Sequence, residues 1–497
     1  MQAMPNMHTA LSTFPVILVS LPIVVGLLMK LIRNRLAVSL ISVASALVSL
    51  VVSCLLLHIV VVERPILLDF PGAKPSIFYI DSLSALMAFL ISLIFLAVAV
   101  YSCGYMRREI EHGAVAADRF NVYHFKLFLF MASMMLVVFL NNIGLVWASV
   151  EATTLASAFL VGFFNTREAV EAAWKYLIIC TVAIALSLFG IVLLNYSLTS
   201  VSNISGLTLD YSVLRGYARA LDPAILKLAF VFVLVGYGTK AGLAPMHTWL
   251  PDAHSQSPTP VSALLSGVLL SCATFALLRF QHIVNLNAGP AFTSSLLIFF
   301  AMASMMLAFP FIMLQNDIKR LLAYSSIEHT GIIFLGLGFG GFLGIAGAFY
   351  HIINHAILKS MMFLTAGSVV QAYGTREISR IRGLSQKNGF LGAVLFLGGL
   401  GLCGMPPFGA FLSEFLILLA GVKAGHYFVS LLYLIFLALI FIGFVNHLSR
   451  IYFGSSSAGD GNEEQDVSGE HIHSDDPFNP GFSVTLTIAF LFTVAIV

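Results

Sequence analysis

Residues 238–267 read GTKAGLAPMHTWLPDAHSQSPTPVSALLSG, and one lysine and a run of prolines there interrupt what would otherwise be two more apolar helices. Lys240 follows the apolar run AFVFVLVGYG, so a helix entering a bilayer near residue 223 carries this ammonium into the membrane at a rise of ~1.5 Å per residue. Insertion scales set the cost of a centrally placed lysine at ~2.5–3.5 kcal/mol, and such groups face a bundle interior or an aqueous path. Gly242 and Pro245 follow at once, which predicts a helix broken beside the charge, with freed carbonyls that neighbours or water must satisfy. A buried charge next to a broken helix reads as an ion site.

Composition leads to the same environment. Of 497 residues 59% are hydrophobic and 10% charged, against about 25% charged in soluble domains, and the mean hydropathy is +0.96. The chain is read as an integral membrane protein. A net charge of +2 excludes a nucleic-acid binder, which needs Lys and Arg clustered on a soluble face. The apolar run from Leu11 to Ile32 is long enough to span, so no cleavable signal is invoked. Cys54, Cys103, Cys180, Cys272 and Cys403 stand far apart with no CxxC spacing, which argues against a chain-borne iron–sulfur or zinc site.

Apolar runs bounded by polar or Pro/Gly punctuation give about fourteen spans, at 10–32, 36–62, 79–104, 122–141, 143–164, 170–197, 223–249, 258–281, 291–314, 320–339, 342–372, 389–422, 427–453 and 480–497. Lys30, Arg33, Arg35, Arg107, Arg108, Arg119, Arg167, Lys319, Arg320, Arg376, Arg380, Arg382 and Lys387 then fall in loops on one side, cytoplasmic by the positive-inside rule, with both termini outside. Arg215 and Arg219 are the exceptions. The acidic stretch 455–480 reads as a flexible cytoplasmic loop, and its His471, His473, Asp475 and Asp476 as solvated rather than metal-binding. GLGFGGFLG (336–344) contains GxGxxG without βαβ context and reads as a tight turn.

Span twelve contains GLCGMPPFGAFLSEF, with Pro406 and Pro407 ahead of Glu414. Taking spans four to eight and nine to thirteen as two five-helix repeats makes spans seven and twelve the fourth helix of each. Interrupted helices at matching places in two halves point to an inverted-repeat transporter. The expected fold is an all-α polytopic membrane protein with N-terminal helices in 1–121, repeats in 122–281 and 291–453, the loop 454–479 and a C-terminal helix in 480–497. Glu151, flanked by Ser149, Thr153 and Thr154, lies in span five and Lys175 near the start of span six. His351, Asn354, His355 and Lys359, spaced i, i+3, i+4 and i+8, share one helical face in span eleven. Five unpaired mid-membrane charges would cost on the order of 12–17 kcal/mol, so they must pair or be wet.

The stretch KAGLAPMHTWLPDAHSQSPTPVSALL resembles the signature of the antiporter-like subunits of respiratory complex I, Mrp-type cation/proton antiporters and group 4 membrane-bound [NiFe] hydrogenases. YSCGYMRREIEHG (101–113), WASVEATTLASAFLVGFF (147–164), EAAWKYLIICTV (171–182), DIKRLLAYSSIEHTG (317–331) and GMPPFGAFLSEF (404–415) most resemble the component F branch of hydrogenase-4. The likeness runs from about residue 79 to 450. It implies two inverted bundles and a proton-translocating subunit of the cell (inner) membrane. Redox chemistry, with iron–sulfur clusters and a nickel–iron site, would then belong to partner subunits, beside further antiporter-like and small membrane subunits.

On this reading Glu151 and Lys240, with Lys175 between or beside them, form a first switch, since a nearby carboxylate favours a lysine's charged form and desolvation opposes it. Lys359, His355 and His351 would pass the proton to Glu414, the exit-side acid. Each charge moved against 100 mV stores about 2.3 kcal/mol, so an outside energy source is needed. Many complex I relatives carry Lys or His where this chain has Ser266, which can hold a water but not a charge. His247, Asp252 and His254 form either an entry funnel or helix caps, with capping favoured. Asp81 reads as an N-cap, and Asp317, Lys319 and Arg320 as topology signals. The alternatives are a Na⁺/H⁺ antiporter subunit of Mrp type, a complex I antiporter-like subunit, and a passive scaffold with frozen ion pairs.

Overall fold

A computed structural model describes residues 5–63, 66–68, 76–201, 209–454 and 481–496. The acidic loop with His471 and His473 lies outside them. Three helices open the chain, α1 (Pro5–Met29), α2 (Arg35–Glu63) and α3 (Ser82–Glu111), with a two-stranded antiparallel pair, β1 (Ile66–Leu68) and β2 (Phe78–Ile80), between the last two. Then come α4 (Arg119–Phe139), α5 (Ile143–Val161), α6 (Arg167–Val201) and the short α7 (Tyr211–Tyr217). The seventh expected span is two helices, α8 (Pro223–Ala241) and α9 (Trp249–Gln256). The eighth runs from α10 (Thr259–Leu264) through a π-helical turn at Leu265–Leu269 into α11 (Leu270–Ala288). After α12 (Ala291–Leu314), α13 (Ile318–Phe339), α14 (Gly341–Tyr373) and the single turn α15 (Leu384–Lys387), the twelfth span is again split, into α16 (Gly389–Leu402) and α17 (Gly409–Lys423). α18 (Tyr427–Phe453) and α19 (Phe482–Ile496) complete the described chain.

Eleven of these segments are long and apolar enough to cross a membrane, and Thr13–Met29, Gly389–Leu402 and Ser483–Ile496 are shorter apolar helices at the remaining expected positions. Local chemistry sets their ends. Asp81 accepts from the Ser84 amide at 2.9 Å, Asn142 from Gly144 at 3.0 Å, Asp222 from Ala224 at 2.7 Å and Asp317 from Lys319 at 2.8 Å, each filling donors that a helix start leaves open. The GxGxxG run closes α13 with its first four residues and makes the turn into α14 with its last two, Gly340 and Gly341, at φ of +64° and +60°.

The helices differ in enclosure. The continuous α10–α11 span and α13 are almost wholly buried, whereas α2, α12 and α18 turn most of their surface outward. A polar residue on the first group therefore sees only protein. Close contact holds the centre together: a Cβ on Gly267 would fall 2.4 Å from Ser360 Oγ, so the π turn rests directly on α14.

The two breaks follow from Gly and Pro beside a charge. α8 ends on Gly242 in the left-handed region, and the Ala244 amide donates to Ser304 Oγ at 2.9 Å while Trp249 Nε1 donates to the Thr239 carbonyl at 2.9 Å. α16 ends at Cys403 and Gly404, and the chain turns through Pro406 and Pro407 into α17. One cis proline bond lies in each break, Ala244–Pro245 and Pro406–Pro407.

The basic loops gather on one face. Tyr105, Glu109, Phe164, Ser257, Lys319 and Arg376, from the ends of α3, α5, α9, α13 and α14, line one cavity of about 810 Å³. Asp81, Tyr211, Arg215, Arg279, His282 and Gly340 line another of about 590 Å³, at the other ends of α3, α11 and α13.

A buried polar line through the enclosed helices

Lys240 sits in the last turn of α8 and is fully buried. Its ammonium donates to Thr154 Oγ1 on α5 at 2.9 Å and to the Tyr176 hydroxyl on α6, and stands 4.5 Å over the Tyr176 ring. Tyr176 in turn bonds Ser157 at 2.6 Å. Two neutral hydroxyls and an aromatic face therefore solvate this cation.

No ion pair joins Glu151 to Lys240, although the carboxylate lies within electrostatic reach of the ammonium. Glu151 accepts from Thr181 Oγ1 at 2.8 Å, and its second oxygen is buried without a protein partner. The register of α5 explains this: Glu151 and Thr154 are three residues apart on one face, so the carboxylate lies one turn from the hydroxyl that holds the lysine. Lys175 does not stand between them. Half exposed, it pairs with Glu171 at 2.7 Å and Asp252 at 3.4 Å.

The capping reading of Asp252 is also corrected. It links three helices, accepting from Lys175 on α6 and from Arg320 on α13. His254 on α9 is fully buried, stacks on Phe363 at 5.2 Å, and has no hydrogen-bond partner at either ring nitrogen. His247 lies in the first break, nearly buried, with its Nδ1 unpartnered. Lys319 is more than a topology signal: it is buried and donates to the Ser257 carbonyl at 2.6 Å, beside the basic-face cavity.

In the second half α13 and α14 run antiparallel and match polar stripes. Ser266, in the π turn, bonds Ser326 on α13 at 2.8 Å. Ser326 donates to the Leu322 carbonyl at 2.9 Å, and that carbonyl also accepts from Lys359 at 3.1 Å. Lys359 further donates to Ser325. Two turns along α14, His351 Nε2 meets His329 Nδ1 at 2.9 Å, while His351 Nδ1 meets Ser413 Oγ of α17, also at 2.9 Å. His355 lies between, its ring 5.5 Å from that of His329 and both nitrogens unpartnered.

Glu414 follows Ser413, buried, with Oε1 unpartnered. Gly404, at φ +68°, lies against it: a Cβ there would come within 2.0 Å of Glu414 Oε2. The second break thus makes room for the acid.

Glu328 and His329 escaped the sequence reading, although both are buried in α13. The signal was present, because two adjacent titratable residues inside span ten carry the same weight as Lys240. Leu322, Ser325, Ser326 and His329 also repeat at i, i+3, i+4 and i+7. Tyr176 gave no such signal, being one aromatic among many. Arg279 was missed too; on α11 it clamps Asp81 through two bonds of 2.5 and 2.7 Å, so that Asp81 is both helix cap and ion-pair partner.

An all-α polytopic chain with buried lysines, histidines and carboxylates on helices packed around its most enclosed spans, and two helices broken beside them, has the fold of an antiporter-like membrane subunit. Comparison with known proteins agrees. Residues 141–441 match the family model described as NADH:quinone oxidoreductase/Mrp antiporter, TM, and residues 75–113 that of the complex I chain 5 N-terminus. The chain belongs to this family. It is 39% identical over 350 residues to the hydrogenase-4 component F homolog of Methylacidiphilum infernorum, covering 70% of this chain and 73% of that one. It is 31% identical over 378 residues to NADH-quinone oxidoreductase subunit N of Desulforudis audaxviator, covering 75% and 70%. A chain in the structure of the Mrp complex from Dietzia sp. DQ12-45-1b shares the fold with a TM-score of 0.84 at 20% identity, covering 98% of this chain and 94% of that one.

Proposed function

We propose that this chain is a proton-translocating antiporter-like subunit of a multisubunit membrane redox complex of the group 4 hydrogenase type. The observation that carries the reading is the second half-site, where Ser266, Ser326 and Lys359 are linked through hydroxyls and the shared Leu322 carbonyl, and where His329, His351 and Ser413 form a second hydrogen-bonded group two turns away along α14, with Glu414 next in the chain. Proton transfer needs such contacts, direct or through one water. A scaffold would more cheaply bury apolar side chains there, since unpaired polar groups in a dry core cost energy without return.

In the mechanism, Lys240 is loaded when Glu151, one turn away on α5, favours its charged form across a water. Water bridges Lys240 to Ser266, and the hydroxyl pair Ser266–Ser326 relays to Lys359. The π turn suits a relay, because such turns interrupt regular helix bonding where side chains act. Glu328 near Lys359 takes in the second half the part that Glu151 takes in the first, and the proton leaves through His355, the His329–His351 pair and Glu414. Residues 122–281 and 291–453 act as two inverted units, each with its fourth helix broken at the charge. His254, with Lys319 beside the basic-face cavity, is the entry from the cytoplasm. Lys175 and Asp252 serve as a surface ion cluster holding α6, α9 and α13 together. Redox centres belong to partner subunits.

The 39% identity to a hydrogenase-4 component F homolog favours this branch over an Mrp antiporter. The test is proton translocation by membrane vesicles carrying the whole complex, with Lys240→Ala and Glu151→Gln, at measured redox turnover. Both variants should lose translocation while the complex stays assembled. Full translocation by both would reject the route, and translocation driven by sodium without a redox substrate would assign the chain to the Mrp type.

A further inference from the structure

The His329–His351–Glu414 cluster has a geometry beyond that of a relay. One ligand atom from each lies within 4.8 Å of the other two, and all three side chains are over nine-tenths buried. Glu414 Oε1 and His329 Nε2 have no protein partner, which distinguishes the cluster from a finished hydrogen-bond network.

The tautomers follow from the contacts. Ser413 donates its hydroxyl hydrogen to the Ala410 carbonyl at 2.8 Å, so its oxygen accepts from His351 Nδ1–H. His351 Nε2 therefore carries a lone pair, aimed at His329 Nδ1 at 2.9 Å, and His329 must donate. A single hydrogen joins the two rings. Moving it to His329 Nε2, which is free, leaves two imidazole lone pairs facing each other beside a carboxylate. Two ligands on a tetrahedral zinc ion are separated by roughly 3.3 Å, given zinc–nitrogen bonds of about 2.0–2.1 Å. The rings need to part by only a few tenths of an ångström. Ser413 already holds His351 as outer partners of metal-bound imidazoles do.

Glu414 borders a cavity of about 330 Å³ between α16, α17 and α18, whose wall is mostly apolar, with Phe411, Phe415 and Leu434 beside Cys403 and Tyr433. Two nitrogens and one carboxylate leave one coordination position open for water.

We propose that His329, His351 and Glu414 form a binding site for a divalent transition-metal ion of the zinc class, which replaces the hydrogen shared by the two histidines. The ion would lie within electrostatic reach of Lys359 and compete with proton loading there. Binding stands on the geometry alone; the resulting block of translocation rests on the route proposed above.

The test uses the purified whole complex and zinc ion alone, counted by competition with a chelating dye and by zinc X-ray absorption. Wild type should hold one more equivalent than His329→Gln, His351→Gln or Glu414→Gln, with two imidazole nitrogens in its absorption spectrum. Equal zinc in all four, or an extra equivalent without imidazole ligands, overturns the site. Should those variants fail to assemble, Ser413→Ala keeps every ligand atom and should weaken zinc binding about 10–100-fold; unchanged affinity also overturns it. If zinc occupies the site and translocation continues unimpaired, the route fails and the site stands. If no zinc binds here, the site fails and the route keeps its own test.

Discussion

Tyr176→Phe isolates the environment of Lys240 without disturbing its packing. The ring stays, so the contacts at 4.5 Å with the ammonium and 4.7 Å with Trp249 survive, and only the hydroxyl goes. That hydroxyl is one of two oxygens that accept from Lys240, and it also ties Ser157 into the group. A hydrogen bond to a charged group contributes about 1.5–3 kcal/mol. Its loss falls mainly on the charged lysine, which lowers the ratio of charged to neutral form by roughly ten- to a hundredfold at 1.36 kcal/mol per decade. Vesicles carrying the complex should then show fewer protons moved per electron at equal assembly. Thr154→Val should act in the same direction, and the double variant should be worse than either. An unchanged ratio in assembled Tyr176→Phe would refute the argument that these hydroxyls hold the charge.

Three further outcomes follow from single contacts. Gly404→Ala forces a Cβ against Glu414 and a side chain into positive φ, at a cost of roughly 1–2 kcal/mol from the backbone alone; thermal stability and translocation should both fall. Arg279→Met leaves Asp81 without its clamp, and breaking such a largely buried pair costs on the order of 3–5 kcal/mol, so the melting temperature of the complex should drop clearly. Burial pushes the Asp210 carboxyl, in the loop before α7, above its usual range despite the hydrogen bond from Asn142. A raised carboxyl stabilises the fold less as pH climbs from the unfolded value through the folded one, so Asp210→Asn should raise thermal stability at pH 7 and have little effect at acid pH.

The sequence made the two broken helices legible because their cause is local: glycine and proline next to a charge in an apolar run. The stripe on α14 was legible for a similar reason, since His351, His355 and Lys359 repeat at the helical period. What faced that stripe was not. Pairing α13 with α14 in antiparallel register depends on tertiary packing, so the meeting of His329 with His351 and of Ser325 with Lys359 had no signature in either segment alone. Glu328 and His329 were nonetheless visible as charges within a span and were passed over. Lys175 illustrates the opposite case: a lysine two turns into a helix can face inward or outward, and its contacts with Glu171 and Asp252 chose outward.

The central claim, that protons cross through this buried line, is tested most directly at Lys359, whose ammonium shares the Leu322 carbonyl with Ser326 and which lies on the α14 face that carries His355 and His351. Lys359→Met keeps the length of the side chain and removes the charge. The account predicts that reconstituted complex carrying this variant moves fewer protons per electron than wild type while remaining assembled. A ratio equal to that of wild type would contradict it.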